Sequence, residues 1–383
     1  MSVTAPQGFR AAGVAAGLKS SGDPDVAVVV NDGPRSSAAA VFTSNRCKAN
    51  PVLWSEQAIK GGSARAVVLN SGGANCYTGP DGFATTHATA ETAAALLGIA
   101  PIEVQVASTG LIGLLNDRDG LLAGVRSAIT SLDAEAGADA ARAIMTTDTR
   151  PKQAVIEGAG YTIGAMAKGA GMLAPSLATM LVVVTTDAVL TPEECDAALR
   201  YATARSFDRL DSDGCQSTND TVLLMASGAS GVEPDLDELQ VQLATLCRDL
   251  ALQLLSDAEG ADHDIAIDVV NAASEADALE VGRAVSRSAL FKTAIFGRDP
   301  NWGRILASVG TTSAAFDPAD LDVAINGVWV CRTSGPGEPR EKVDLAPRSV
   351  TVTIDLKAGP AQGTIWTNDL TQAYVHENSA YSS

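Results

Sequence analysis

Hydrophobic residues along the chain fall into short runs that alternate with longer helical patterns, without a fixed repeat. Short runs rich in Val, Leu and Ile are typical of buried strands. Such runs lie at 26–30, 65–70, 104–107, 181–184 and 265–270. The run at 181–184 is apolar and β-branched throughout, which predicts a strand in the centre of a sheet, buried on both faces.

Helix signals separate these runs. Thr191 precedes Pro192 and Glu194, so the segment has a capping box with Pro at the first helical position, and we expect this helix to reach about residue 207. Ser274 is placed to cap a further helix. The helical patterns cover 84–97, 191–207, 236–258 and 275–287.

Beyond residue 320 the pattern changes to an alternation of Val and Thr, which is typical of a sheet. Strands are predicted at 323–330, 350–356 and 364–366, with an exposed, turn-rich loop at 333–340. Mixed helices and strands without a repeat predict an α/β or α+β layered fold, with helices packed on sheets and a smaller sheet-rich region from about residue 320.

Composition and charge narrow the class of protein. Hydrophobic residues make up 46% of the 383 residues but aromatic residues only 4%, so Ala, Val, Leu and Ile must build the core. The formal net charge of −18 repels phosphate backbones and anionic lipids, which argues against nucleic acid and membrane partners. No apolar run approaches the roughly 20 residues of a membrane span, and residues 1–10 lack the features of a signal peptide, so we expect a cytoplasmic protein.

Standard metal, cofactor and catalytic motifs do not account for the chain. The six cysteines are scattered singly, so we expect buried reduced thiols and no metal site. GAGMLA at 169–174 matches a dinucleotide fingerprint, but Pro175 and then a strand follow where that motif must open a helix. DSDG at 211–214 resembles part of a calcium loop, but Asp220 stands where the loop requires Glu. No GxSxG segment accompanies the histidines.

An acyl-transfer enzyme without a histidine base can use an N-terminal threonine, whose α-amine takes the hydroxyl proton. Such a threonine must be exposed by cutting the chain. The segment 168–181 has suitable features, with glycines and Pro175 before the small Ala178, then Thr179 and an apolar strand from Met180. On the residues alone, a structural threonine at a strand start is the stronger interpretation.

The segment AMAKGAGMLAPSLATM, at 165–180, closely resembles the self-cleavage segment of the ornithine acetyltransferase family, also called arginine biosynthesis bifunctional proteins or glutamate N-acetyltransferases. The resemblance covers nearly the whole chain. Further matching motifs lie at 70–75, 108–113, 144–148, 217–221, 257–260, 292–294, 299–304 and 377–381.

This resemblance implies a self-processed protein. Cleavage between Ala178 and Thr179 would give an α chain of residues 1–178 and a β chain of residues 179–383 that stay together. The implied fold has helices on both faces of a sheet pair, as in self-processing aminopeptidases. The implied assembly is an α2β2 heterotetramer, and no cofactor is implied.

The resemblance also implies a mechanism. Thr179 would take the acetyl group of N2-acetyl-L-ornithine as an ester, and L-glutamate would then attack it in a ping-pong cycle that gives N-acetyl-L-glutamate. Thr109 and Gly110 match the oxyanion hole of the family. Lys168 is suited to a substrate carboxylate and Glu259 to the cationic amine of ornithine. The matches to substrate-binding positions are Thr146, Lys168, Thr179, Glu259, Asn378 and Ser383.

Two other interpretations stay open. A self-processing aminopeptidase of the same superfamily would share the fold and the cleavage but deliver the acyl group to water. A non-enzymatic binding protein would never cleave itself. The KGAGM–LAT motif and the tail favour the transferase. The residues do not decide whether acetyl-CoA is a second donor substrate, or whether the protein serves arginine biosynthesis or a secondary pathway.

Overall fold

The computed structural model describes residues 2–171 and 180–380. Three residues with predicted roles, Ala178 and Thr179 at the cleavage site and Ser383 at the C-terminus, lie outside the described residues. The described strands and helices follow most of the predicted elements closely.

The strands are β1 (Phe9–Val14), β2 (Val26–Asn31), β3 (Ser37–Phe42), β4 (Ala66–Asn70), β5 (Val104–Ser108), β6 (Lys152–Glu157), β7 (Thr162–Lys168), β8 (Leu181–Thr186), β9 (Thr221–Ala226), β10 (Asp264–Ala272), β11 (Asp322–Ile325), β12 (Val328–Arg332), β13 (Gly335–Pro336), β14 (Ser349–Asp355) and β15 (Ala361–Asn368). The α-helices are α1 (Asn50–Ala58), α2 (Gly79–Leu97), α3 (Arg118–Thr130), α4 (Gly137–Ala143), α5 (Pro192–Thr203), α6 (Leu236–Ser256), α7 (Glu275–Ser286), α8 (Ala289–Phe296), α9 (Trp302–Val309) and α10 (Gln372–Ala380).

Two sheets stacked face to face form the centre of the fold. The first has the order β1-β2-β4-β5, and the second has the order β3-β9-β8-β7-β6. Ala27 and Val29 of β2 share one buried cluster with Leu181 and Val183 of β8, because alternate residues of each strand point into the space between the sheets. The predicted central strand at 181–184 is therefore confirmed as β8 in the middle of the second sheet.

Helices cover the outer faces of both sheets. Val26 and Val28 of β2 pack with residues of α2 and α3, whereas Val182 and Val184 of β8 pack with residues of α5 and α6. The strands are thus buried on both faces, which explains why they have continuous apolar sequences. This helix–sheet–sheet–helix arrangement confirms the predicted layered α/β fold.

A third sheet, of order β13-β12-β11-β14-β10-β15, has its own core with α7, α8 and α9. The prediction of one strand at 323–330 is wrong, since β11 and β12 form a hairpin there. Asn326 and Gly327 both have positive φ angles, of 48° and 80°, which suits a two-residue hairpin turn. β10, which precedes residue 320, pairs with both β14 and β15 in this sheet.

The predicted helix caps are confirmed, whereas some helix ends differ. Thr191 and Glu194 form the capping box of α5, and the Ser274 hydroxyl accepts from the Asp277 N–H of α7 at 3.1 Å. α5 ends at Thr203 rather than near residue 207, where the chain turns into a short 3₁₀ helix. α2 begins at Gly79, five residues before the predicted start at residue 84.

All six cysteines are free thiols, but the expectation that they are buried holds only in part. Cys47 and Cys215 are exposed, because both lie in loops outside the sheets and helices. Burial raises the pKa of Cys195 and of Cys247 to about 12. Among the described residues, no helix combines the length and apolar character needed to cross a bilayer.

Candidate active site

Two of the predicted site residues, Lys168 and Thr109, meet at one edge of the sheet pair. Lys168 is the last residue of β7 and pairs with Leu181, the first residue of β8, which pairs in turn with Thr221 at the start of β9. Thr109 directly follows β5 of the other sheet. The end of β5 lies against the end of β7, since Lys168 donates a hydrogen bond to Thr109.

Lys168 connects the two sheets across this edge. Its side chain is buried, and its Nζ donates to Thr146 Oγ1 at 2.7 Å and to Thr109 Oγ1 at 3.2 Å. Burial lowers the pKa of Lys168, whereas the nearby Asp148 and Glu259 carboxylates act in the opposite direction. The Thr109 hydroxyl accepts from Lys168, so its own proton can be donated to another group.

The turn after β5 depends on glycine. Gly110 has a φ of 124°, and a Cβ there would lie 2.9 Å from the N and Cα atoms of Gly73. The Thr109 N–H donates to the Asn70 carbonyl at 2.9 Å, and Asn70 Nδ2 donates to Ser108 Oγ at 2.6 Å. The two motifs at 70–75 and 108–113 therefore form one rigid unit that fixes Thr109 and Gly110.

Asp148, for which the sequence analysis predicted no role, organises the backbone around Lys168. Its Oδ1 accepts from the Gly169 N–H at 2.7 Å, and its Oδ2 accepts from the Thr146 N–H at 3.0 Å and lies 4.0 Å from Lys168 Nζ. Lys152, which is fully buried, donates to both Asp148 and Asp257. Burial acts to raise the pKa of Asp148, but Lys168 and Lys152 outweigh it and hold that pKa below its usual value.

Glu259 brings a buried negative charge to the same region. Its Oε1 accepts from Thr147 Oγ1 at 2.7 Å, and its backbone N–H donates to the Ala170 carbonyl at 2.9 Å. A Cβ on Gly171 would lie 2.7 Å from Glu259 Oε2, so any larger residue there would displace the Glu259 carboxylate. The consecutive residues Thr146 and Thr147 thus bind the cation of Lys168 and the anion of Glu259.

Asp220 holds the start of β8, and it too was missed by the sequence analysis. Its side chain is buried, and Oδ1 accepts from the Met180 N–H at 3.0 Å. Among the described residues, no hydrogen-bond partner reaches Oδ2. Burial raises the pKa of Asp220 well above its usual value, against the opposing effects of the Met180 N–H and the Lys168 charge.

The missed residues differ in the signal that could have found them. Asp148, Asp220 and Asp257 stand inside the motifs at 144–148, 217–221 and 257–260, so their motifs were identified but not their contacts. Lys152 belongs to none of these motifs. Only the structure, which buries Lys152 between the Asp148 and Asp257 carboxylates, shows its role.

The C-terminal helix α10 begins beside Glu259. Thr371 Oγ1 donates to the Gly260 carbonyl at 2.5 Å, and a Cβ on Gly260 would lie 2.2 Å from the Tyr374 N atom. Asn378 is exposed, and its Nδ2 donates to the Tyr374 carbonyl at 3.0 Å within the helix. The structure therefore brings the start of α10 to the site, but no hydrogen bond joins Asn378 to Lys168 or Glu259.

The site combines three groups at one edge of the sheet pair: a buried cation, a buried anion and an oriented hydroxyl. They suit an enzyme that acts on a small molecule carrying both a carboxylate and an ammonium group. Among the described residues, no cluster of His, Cys, Asp and Glu side chains could hold a metal ion.

Comparisons with known proteins identify the family. A family model described as the ArgJ family matches residues 10–383. The "Arginine biosynthesis bifunctional protein ArgJ" of Thermobifida fusca is 63% identical over 383 residues, and that of Streptomyces coelicolor is 62% identical, with all of both chains covered in each case. The chain belongs to the ArgJ family, and the family and the enzyme class predicted from the motifs are confirmed.

Solved structures cover parts of the chain. The ornithine acetyltransferase of Mycobacterium tuberculosis, solved as a complex with ornithine, is 56% identical, covers 46% of this chain and 95% of that chain, and has a TM-score of 0.45. ArgJ from Bacillus halodurans is 35% identical, covers 51% of this chain and 97% of that chain, and has a TM-score of 0.49.

Proposed function

We propose that the chain transfers an acetyl group from N2-acetyl-L-ornithine to L-glutamate, giving L-ornithine and N-acetyl-L-glutamate, as a step of arginine biosynthesis. Membership of the ArgJ family supports this function. The structural observation that carries it is the pair of opposite buried charges, Lys168 and Glu259, held by consecutive threonines. A donor with one carboxylate and one side-chain ammonium group matches this pair.

The two charges have separate tasks in substrate binding. Lys168 pairs with the α-carboxylate that both substrates carry. The Thr146 hydroxyl accepts from the Lys168 ammonium group and holds it in place. Glu259 pairs with the side-chain ammonium of ornithine. Both side chains are almost completely buried, so these ion pairs form in a medium of low dielectric where they are strong.

The nucleophile of this proposal is Thr179, freed by cleavage of the Ala178–Thr179 bond. Its hydroxyl attacks the acetyl carbonyl while its α-amine takes the hydroxyl proton. The α-ammonium group then returns this proton to the amine nitrogen as the C–N bond breaks and ornithine leaves the tetrahedral intermediate. Asp220 supports this role because it holds the N–H of Met180, and that nitrogen is bonded to the carbonyl carbon of Thr179. Cleavage divides the protein into chains of residues 1–178 and 179–383.

Thr109 and Gly110 stabilise the negative charge that develops on the acetyl oxygen. Lys168 donates to the Thr109 hydroxyl, which orients it and leaves its proton for the oxyanion. The Gly110 N–H supplies the second donor. A cation adjacent to the hydroxyl also makes Thr109 a stronger donor, because it polarises the O–H bond.

Burial of the site protects the acetyl ester from water. Thr109, Lys168 and Asp220 have exposed fractions of 1%, 2% and 0%. An ester that forms in such a site survives until glutamate replaces ornithine. This feature favours a transferase over the aminopeptidase interpretation, in which water must reach the acyl group.

The proposal extends to a second donor and to the assembly. We include acetyl-CoA as a second acetyl donor because relatives more than 60% identical are named bifunctional. The reaction requires neither a bound cofactor nor a metal. On the resemblance of the motifs we also propose an α2β2 heterotetramer located in the cytoplasm, with Asn378 and Ser383 completing the site.

The function is tested with the purified protein, L-glutamate, and either acetyl-ornithine or acetyl-CoA. Formation of N-acetylglutamate is followed by mass spectrometry, and peptide substrates are assayed in parallel. Transfer from acetyl-ornithine without peptide hydrolysis is the expected result. Peptide hydrolysis without transfer would replace the proposal with the aminopeptidase.

A further inference from the structure

The two substrates of the proposed reaction have opposite side-chain charges, and this inference rests on that proposed function. Ornithine carries a side-chain ammonium group, whereas glutamate carries a side-chain carboxylate. Their α-nitrogens react at the same acyl carbon, so both side chains extend from the same place. Glu259 attracts the first side chain but repels the second, so the acceptor requires a cation that the donor does not use.

A cavity of about 180 Å³ begins at Glu259 and extends towards the third sheet. Its lining includes Lys292 of α8, Arg287 after α7, and Tyr374 of α10. The cavity adjoins the proposed substrate site because Glu259 lines it. A side chain that avoids the Glu259 carboxylate can therefore extend into this space.

Lys292 is the cation of this cavity that lacks a carboxylate partner. It is 8% exposed, and its Nζ donates to the Ser212 carbonyl and, at 3.4 Å, to Thr367 Oγ1. Among the described residues, no carboxylate oxygen lies within 4.0 Å of Nζ. An ammonium group has three donors, so one remains for a ligand.

Two of the carboxylates near Lys292, Asp211 and Asp369, already have partners. Arg287 Nε donates to Asp211 Oδ2 at 2.7 Å. Asp369 accepts from His263 Nδ1 at 2.7 Å and from the His263 N–H at 2.9 Å. Burial lowers the pKa of Lys292, whereas Asp213, Asp211 and Asp369 act to raise it, so an arriving carboxylate would further favour its charged form.

We propose that Lys292 binds the side-chain carboxylate of the acetyl acceptor, and that this contact makes glutamate the preferred acceptor. Glu259 and Lys292 then select between the substrates by direction, since both residues line the same cavity. The two side chains place their charged atoms at the same number of bonds from Cα, so the donor's ammonium group turns to Glu259 and the acceptor's carboxylate turns to Lys292. Lys292 is a specificity-determining residue of the second half-reaction only.

The ping-pong cycle allows the two half-reactions to be measured separately. The kcat/KM for acetyl-ornithine reports the first half-reaction, and the kcat/KM for glutamate reports the second. Lys292→Met removes the charge but keeps the length of the side chain. It should lower kcat/KM for glutamate about tenfold or more, the value of one charge-assisted hydrogen bond, and change the value for acetyl-ornithine less than about twofold.

Two matched variants control for charge. Lys292→Arg keeps the cation and should retain most of the glutamate kcat/KM. Lys342 is an exposed lysine that pairs with Glu338, so Lys342→Met makes the same change in net charge away from the cavity and should alter neither half-reaction. Each variant is compared per cleaved enzyme, measured by intact mass.

Glutamine provides a test that needs no variant. It has the size of glutamate but a neutral side chain. The kcat/KM of the wild type should therefore be about tenfold or more higher for glutamate than for glutamine, and Lys292→Met should lose most of this preference. Equal use of both acceptors by the wild type would overturn the inference, even if the variant failed to fold. A folded Lys292→Met that keeps the glutamate value, or loses both half-reactions equally, would overturn it as well. Absence of acetyl transfer to glutamate in the wild type would instead refute the proposed function.

Discussion

Replacing Asp148 by Asn tests whether one group of buried charges supports both the fold and the substrate site. This charge cluster consists of Asp148, Lys152, Lys168 and Asp257. The change removes one negative charge between two buried lysines, Lys168 and Lys152, with almost no change in volume. The amide oxygen can still accept one of the two backbone N–H bonds from Gly169 and Thr146. Lys152 keeps Asp257 as its partner, but Lys168 loses the carboxylate 4.0 Å from its Nζ.

The magnitude follows from this geometry. Breaking a buried ion pair by removing one partner typically costs about 3–5 kcal/mol, and the remaining Lys152–Asp257 pair places the expected loss near the lower end, about 3 kcal/mol. With an unfolding entropy of about 2.1 cal/mol/K per residue over 383 residues, this corresponds to a fall of about 4 °C in Tm. Thermal unfolding of the cleaved protein, followed by circular dichroism, measures this fall.

The effect on pH dependence has a definite sign. The pKa of Asp148 lies below its usual value of 3.8, so its contribution to stability is present above that pH and is lost as the pH falls through the folded-state pKa. Asp148→Asn should therefore lose less stability in acid than the wild type. Asp148 also acts to raise the pKa of Lys168, so in the variant kcat/KM for acetyl-ornithine should decline at a lower alkaline pH.

A surface variant is the control. Asp139 forms an exposed ion pair with Arg142, so Asp139→Asn should change the free energy of unfolding by no more than about 0.5 kcal/mol. If Asp148→Asn matched this control in Tm and also kept the wild-type pH profile, the charge cluster would have no role in either stability or binding.

Three further predictions concern the proposed reaction. Intact-mass analysis should show two fragments with the second beginning at Thr179, and Thr179→Ala should remain one inactive chain while Thr179→Ser retains some cleavage; an active, uncut wild type would contradict this. Thr109→Ala should lower kcat on the order of 10²-fold with little change in substrate affinity, because its hydroxyl donates mainly to the oxyanion; a raised KM alone would make Thr109 a binding residue instead. Glu259→Gln keeps an oxygen that can accept from Thr147 but removes the charge, so kcat/KM for acetyl-ornithine should fall about tenfold or more while that for glutamate does not fall; a fall in both would argue that Glu259 supports the site as a whole.

Local sequence patterns were sufficient for about half of the described strands and helices and for part of the site. The apolar run at 181–184 predicted a central strand, and the Thr191 capping box predicted the start of α5, because each signal involves residues that are neighbours in the chain. The motifs also named Thr109, Thr146 and Lys168, which the structure joins by hydrogen bonds. These three residues were identified by the resemblance to the family motifs. The residues alone did not indicate a catalytic site, because at Thr179 they favoured a structural role.

The tertiary structure decided the contacts that span long stretches of chain. Lys152 and Asp257 are 105 residues apart, and they meet only because β6 and the end of α6 lie side by side at the second sheet. Lys292 and Glu259 line one cavity because the third sheet and its helices lie beside the sheet pair. Burial turns an ordinary lysine into a buried cation, and burial is a property of packing that no local pattern of residues specifies.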